Sequence, residues 1–178
     1  MPPRLVLLDR DGVINVDSAD YILAPDDWVP LPGSVPAIAR LNRAAIAVAV
    51  CTNQSAVGRG MLTPATLAAI HSRMDAVLAN DGAHIDRLFY CPHAPDAGCH
   101  CRKPAPGLVE QALAAFAVRP DEALFIGDSG RDLEAARQAG VTPWLVRTGN
   151  GAATEATLPA PVSVYDNLAA AVAALLGT

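Results

Sequence analysis

Short apolar runs and amphipathic patterns alternate along the whole chain. The runs "RLVLLD" (4–9), "AIAVAVCT" (45–52), "DRLFYC" (86–91), "EALFIGD" (122–128), "PWLVR" (143–147) and "VSVYD" (162–166) lack the polar alternation of half-exposed strands. Such runs suit strands buried on both faces, and therefore a mostly parallel sheet. Helical patterns fall between them, at about 34–44, 64–80, 106–117, 130–139 and 166–176. The helix over 64–80 has legible ends: Thr63 as N-cap before Pro64, and Asp81-Gly82 as the stop.

Strand and helix alternating without repeat or linker predict a single α/β layered domain over residues 1–178 with right-handed crossovers. Two irregular stretches, 10–33 and 92–105, are long for a compact domain, and loops of that length tend to carry function. Ligands of open α/β sheets gather beyond the carboxyl ends of the strands, where the strand order switches. Asp9, Thr52, Cys91 and Asp128 occupy those ends, and Arg102 and Lys103 stand just before a helix.

Hydrophobic residues make up 52% of the 178 and charged ones 17%, which favours a folded domain over a disordered chain. The net charge of -5 offers no general attraction for nucleic acid or an anionic membrane, so a phosphate-bearing ligand needs a local cluster of cations. The first apolar run is too short, and charged too soon, for a signal peptide, and no segment approaches the ~20 apolar residues of a membrane span. A cytoplasmic protein is expected, and there the four cysteines suggest thiols or metal ligands before disulfides.

Asp9 and Asp11 sit at the mouth of the greasy first strand. Neighbouring buried carboxylates raise one another's pKa or demand a cation. With Asp128 from a second strand end and Lys103 from a loop, they form a balanced set for a metal and a phosphoryl group. Asp9, Asp11 (by side chain or backbone carbonyl) and Asp128 offer the hard oxygens that Mg²⁺ prefers. Asp9, the most rigidly placed, suits a nucleophile that forms an aspartyl-phosphate. Asp11, across a turn eased by Gly12, suits the group that protonates the leaving oxygen and then deprotonates water. Thr52 offers a hydroxyl and Lys103 a point charge, with backbone amides after Asp9 and Thr52 completing the cradle. Plainer accounts exist for each: a solvated turn at Asp9 and Asp11, a strand-ending cap at Thr52-Asn53, and a favourable first-turn charge at Asp132. Convergence on one mouth favours the catalytic account for the first group and leaves Asp132 open.

The segments "DRDGVIN", "CTNQS", "RKP" and "GDSGRD", in that order, resemble the four motifs of the haloacid-dehalogenase superfamily of aspartate-nucleophile phosphatases, over roughly residues 5–150. The resemblance implies a Rossmann-like three-layer fold, Mg²⁺ dependence, and the roles just given for Asp9, Asp11, Thr52, Lys103 and Asp128.

The stretch "CPHAPDAGCHCRKP" spaces Cys91, His93, Cys99 and Cys101 as C-x-H-x5-C-x-C, a closed tetrahedral set for a structural Zn²⁺ in the loop 91–101. Chance clustering, a redox pair, and His100 in place of His93 are the alternatives. Cys51 reads as a buried strand residue, and His71 and His84 as surface residues on or beside a helix. The loop is too polar to order itself by burial. Zinc would fix it so that Arg102 and Lys103 face the phosphate site.

A zinc loop just before the lysine motif resembles a small branch of the superfamily with little or no cap domain, acting on histidinol phosphate or on a heptose 1,7-bisphosphate. The short stretch from Asp11 to Thr52 likewise leaves no room for a large cap. A bisphosphorylated sugar needs a second anion clamp, and "TNQSAVGRG" and "CRKP" supply Ser55, Arg59 and Arg102. By that resemblance Arg102 recognises the phosphate at C1, while Asp17, Ser18, Ala19, Asp20, Asn53, Gln54 and Ser55 bind hydroxyls. Arg59 either joins the clamp or merely bridges helices.

The expectation is a monomeric, Mg²⁺-dependent phosphomonoesterase that removes the C7 phosphate of a heptose bisphosphate in envelope-sugar (lipopolysaccharide precursor) synthesis, with no nucleic-acid or membrane partner. Asp20, Asp26 and Asp27 could instead attract a cationic substrate, which keeps histidinol phosphate open. A zinc-structured domain that binds a phosphosugar without turnover is the reading from another class. The Asp9/Asp11 pair speaks against it, because binding alone favours fewer anions.

Overall fold

The computed structural model describes residues 2–177. Six strands, β1 (Leu5–Leu8), β2 (Ala47–Asn53), β3 (Arg87–Cys91), β4 (Ala123–Gly127), β5 (Thr142–Val146) and β6 (Ser163–Tyr165), form one sheet in the order β3-β2-β1-β4-β5-β6. Every pairing is parallel. The helices are α1 (Ser34–Arg43), α2 (Ser55–Gly58), α3 (Pro64–Asn80), α4 (Gly107–Phe116), α5 (Gly130–Gln138), α6 (Gly151–Glu155) and α7 (Leu168–Leu176).

β1 explains the layering. Its four residues are all fully buried, and successive side chains point to opposite faces. Val6 and Leu8 join one apolar cluster with Ile38 of α1, Ile70 of α3 and Val172 of α7. Leu5 and Leu7 join the other, with Val109 of α4 and Ala136 of α5. Helices on both faces leave the central strands β1 and β4 no solvated side, which is why they read as unbroken apolar runs, whereas the edge strands β3 and β6 keep Arg87, Tyr90 and Ser163 exposed.

The chain steps outward from β1 to β2 and β3, then crosses over to β4 on the other side of β1. That reversal opens a crevice at the carboxyl ends of β1 and β4. Leu8 is in register with Ile126, so Asp9 leaves the sheet beside Gly127, one residue before Asp128.

The expected strands and the five longer helices all form. α2 and α6 are additional, and each is too short to show a period in sequence. Thr63 caps α3 as expected, its hydroxyl accepting from the Thr66 N–H at 3.1 Å. The stretch 10–33 is tied down by buried Val13, Ile14, Ile22 and Trp28 and by a 3-10 turn at Pro25–Asp27. Among the described residues, no helix is long and apolar enough to cross a membrane.

Candidate active site

Asp9 follows the last residue of β1, and its N–H donates to the Ile126 carbonyl of β4 at 3.2 Å, which fixes it to the crevice. Its Oδ1 accepts from the Arg10 N–H at 2.8 Å and lies 2.9 Å from Lys103 Nζ. Lys103 is almost fully buried; its ammonium also donates to Oδ1 of Asp132 at 2.6 Å and to the Cys51 carbonyl at 2.8 Å. All three donors of the ammonium are therefore engaged. Asn53, at the end of β2, holds the Lys103 backbone from both sides, accepting its N–H and donating to its carbonyl, each at 3.0 Å.

Asp128 ends β4. Its Oδ2 accepts from Asn150 N–H at 2.8 Å and Nδ2 at 3.2 Å. Gly12 and Gly149 both have positive φ, 83° and 58°, and a Cβ on either would collide with that oxygen. Two glycines thus let separate loops close over one carboxylate.

Oxygens of Asp9, Asp128 and Asp132 lie within 4.8 Å of one another. Burial, then the charge of Asp132, pushes Asp9 up to about 7 despite Lys103. Burial, then Asp9, pushes Asp128 up to about 8. One ammonium does not neutralise three buried carboxylates, and the donor set fits a hard divalent cation. Asp132 is less free to ligate: its Oδ2 already accepts from the N–H groups of Asp128 and Ser129, each at 3.1 Å, and from Ser129 Oγ at 2.8 Å. Among the described residues, no hydrogen bond reaches the second oxygen of Asp9 or of Asp128.

Asp11 is held apart from that cluster. Arg10 Nε donates to its Oδ1 at 3.0 Å and Nη2 to its Oδ2 at 3.1 Å. Asn15 Nδ2 donates to Oδ1 at 2.9 Å and Gln54 Nε2 to Oδ2 at 3.0 Å. Gln54 also donates to Thr52 Oγ1 at 2.9 Å, tying the ends of β1 and β2 together. Behind Asp11, Arg10 Nη1 is 3.2 Å from His71 Nε2. His71 is half-buried rather than a surface residue, a correction to its sequence reading. Burial and then Arg10 hold it down at about 4, so it is neutral.

These groups floor a cleft of about 390 Å³, a fitting size for a small ligand. Asp17, Ser18, Asn53, Ser55, Arg59 and Arg102 line it, together with Tyr21, Arg131 and Asn150, which sequence reasoning did not single out. Ala19 lines a shallower neighbouring hollow. Asp20 lines neither, and Gln54 is turned toward Asp11 and Thr52 instead. Asp27 folds back to accept the N–H groups of Leu23 and Ala24, at 3.3 and 3.0 Å, and so serves the turn. Arg102 Nη1 is buried and donates to nothing among the described residues.

The loop after β3 gathers Cys91, His93, Cys99 and Cys101, with ligand atoms within 4.8 Å. His93 Nδ1 is 3.4 Å from Cys91 Sγ and 3.2 Å from Cys101 Sγ. His100 points elsewhere, pairing with Glu110 at 2.7 Å. Burial drives Cys91 up to about 12. Burial also acts upward on Cys99, but hydrogen bonds from the Arg102 backbone and the neighbouring thiols bring it down to about 6. Thiols that share protons at such separations suit a tetrahedral metal that would displace those protons. Cys51 is buried in β2 and outside the cluster, as its sequence context suggests.

The class defined by this switch-point crevice, with Asp9, Thr52 and Asp128 at strand ends and Lys103 on a loop, is that of the haloacid-dehalogenase-like hydrolases, and the HAD-hydrolase-like family model matches residues 100–171. A D-glycero-beta-D-manno-heptose-1,7-bisphosphate 7-phosphatase of Bordetella bronchiseptica is 49% identical over 97% of this chain and 98% of its own. One of Pseudomonas aeruginosa is 48% identical over 99% of both chains. The crystal structure of D,D-heptose 1,7-bisphosphate phosphatase from B. bronchiseptica complexed with magnesium and phosphate aligns with a TM-score of 0.95 at 48% identity, covering 98% of each chain. The chain belongs to this family of heptose-bisphosphate phosphatases.

Proposed function

We propose that the chain is a Mg²⁺-dependent phosphomonoesterase that removes the C7 phosphate of D-glycero-D-manno-heptose 1,7-bisphosphate, a step in supplying heptose for lipopolysaccharide. The observation that carries the reading is the Asp9–Lys103 pair, 2.9 Å apart at the β1/β4 crevice, in a chain similar over nearly its whole length to enzymes named for that reaction.

Asp9 attacks the phosphorus; its new P–O bond forms as the bond to the C7 oxygen breaks. Asp11 gives that oxygen a proton, then takes one from the water that attacks the aspartyl-phosphate, so that inorganic phosphate leaves and Asp9 is restored. Four donors occupy the lone pairs of Asp11, so a proton arriving there displaces one of them. The Thr52 hydroxyl meets an equatorial oxygen, and so does Lys103 once the donor it turns to Asp9 is released as that carboxylate attacks. Asp9, Asp128 and the Asp11 carbonyl would hold Mg²⁺, which supplies the positive charge that two anions meeting at Asp9 require. Zn²⁺ on Cys91, His93, Cys99 and Cys101 would order the loop that carries Arg102 and Lys103.

Arg102, whose Nη1 lacks a partner among the described residues, takes the C1 phosphate with Arg59, and Asp17, Ser18, Asn53 and Ser55 meet hydroxyls. We read the chain as one capless domain and a cytoplasmic monomer without nucleic-acid or membrane partners; free thiols poised for metal suit a reducing compartment. Phosphate release with Mg²⁺ from each heptose 1,7-bisphosphate anomer, beside histidinol phosphate, tests the function. Preference for a bisphosphate, leaving the C1 phosphate in the product, is expected. Preference for histidinol phosphate, or binding without release, overturns it.

A further inference from the structure

Arg10 is the only arginine among the described residues with no exposed surface, and it lies between Asp11 and His71. One edge of its guanidinium, Nε and Nη2, grips both oxygens of Asp11. The far corner, Nη1, meets His71 Nε2 at 3.2 Å. Arginine only donates, so that ring nitrogen must offer its lone pair. His71 stands on α3 one residue past Ile70, at the edge of the buried stripe Leu67, Ile70, Met74, Leu78. The ring of Tyr90, on β3, sits against it with centroids 6.1 Å apart.

We propose that His71 is a positioning residue for the reaction: by accepting from Arg10 Nη1 it fixes the guanidinium that aims the Asp11 carboxylate. The inference rests on the acid–base role given to Asp11. A planar guanidinium held along one edge by a side chain that must itself work can pivot with that side chain. A contact at the opposite corner, from a rigid helix, removes the pivot. Nη1 has no water-exposed alternative, so loss of the acceptor strands a buried donor and lets Arg10 reorient. Asp11 must meet the leaving oxygen and then a water, and such transfers tolerate little misplacement.

The test compares His71→Leu with His71→Gln in the full chain, by steady-state phosphate release from heptose 1,7-bisphosphate with Mg²⁺ and by thermal midpoint. Glutamine keeps an acceptor near the Nε2 position; leucine keeps volume alone. His71→Leu is expected to lower kcat about 10-fold with KM within about 2-fold, and His71→Gln to restore kcat to within about 3-fold. Parent kcat in His71→Leu, equal losses in both variants, or a change confined to KM overturns the inference. Should His71→Leu not fold, His71→Asn replaces it, because its shorter amide falls short of Arg10; equal rates for Asn and Gln then overturn the inference. An Asp11→Asn protein is measured alongside. If it turns over at the parent rate, the acid–base assignment itself has failed; if it is inactive while His71→Leu keeps the parent kcat, only the role of His71 has.

Discussion

Oδ1 of Asp132 lies 2.6 Å from Nζ of Lys103, and both side chains are buried to within 2%. Burial alone would lower the Lys103 pKa, but Asp132 and then Asp9 outweigh it and hold the ammonium above the ordinary lysine range. Asp132 is lowered in turn: burial opposes its charge, and Lys103 with Ser129 overcomes that. Removing Asp132 leaves Lys103 with Asp9 as its carboxylate partner and takes the acceptor from the Asp128 and Ser129 N–H groups, a cost of ~1–3 kcal/mol for a buried group left unpaired. Asp132→Ala should therefore lose stability of that order in urea denaturation and lower kcat through both Lys103 and the Asp128 backbone. A variant as stable as the parent would show that Lys103 finds its compensation elsewhere.

The framework was legible in the sequence where burial leaves a one-dimensional trace. β1 and β4 are apolar on both faces, so the carboxylates that end them, Asp9 and Asp128, stand out at once. Cys91, His93, Cys99 and Cys101 are close in sequence and likewise carry their own spacing. Partners brought together by the crossovers leave no such trace. Lys103 meets Asp132 across 29 residues, Asp128 meets Asn150 across 22, and Arg10 meets His71 across 61. Asp132 carries no such trace either, because a first-turn aspartate satisfies its helix whether or not a lysine approaches it.

Gly12, like Gly149, permits a close approach to Asp128. Gly12→Ala would place a methyl against Asp128 at a φ of 83° that alanine tolerates poorly. Mg²⁺ affinity should weaken at least about 10-fold while the substrate cations stay in place. Titrating activity against Mg²⁺ reads this directly, and an unchanged half-saturation would contradict the placement of Asp128 at the metal.

Metal binding should stabilise the protein in a pH-dependent way. Asp9 and Asp128 are raised to about 7 and about 8, above the unfolded carboxylate value. Their contribution to stability without metal is therefore complete below pH ~4 and is lost as pH rises through those values. A divalent cation relieves that loss. The rise in thermal midpoint on adding Mg²⁺ should be larger at pH ~8.5 than at pH ~6. Equal shifts at both would mean that these carboxylates do not bind the ion.

Stripping zinc should impair the enzyme without removing any catalytic group. A chelator selective for Zn²⁺ over Mg²⁺ is expected to lower both thermal midpoint and rate, with recovery on adding zinc and not on adding more magnesium. Metal analysis should find about one zinc per chain. Full activity in zinc-free protein would leave the Cys/His cluster without the ordering role proposed for it.

The most direct measurement is single-turnover phosphate transfer in the parent and in Asp9→Asn, using heptose 1,7-bisphosphate labelled at the C7 phosphate and an acid quench. The parent should show a transient, hydroxylamine-labile label on the protein. Asp9→Asn should show none and release phosphate about 10,000-fold more slowly. Turnover by Asp9→Asn at the parent rate would contradict Asp9 as the nucleophile.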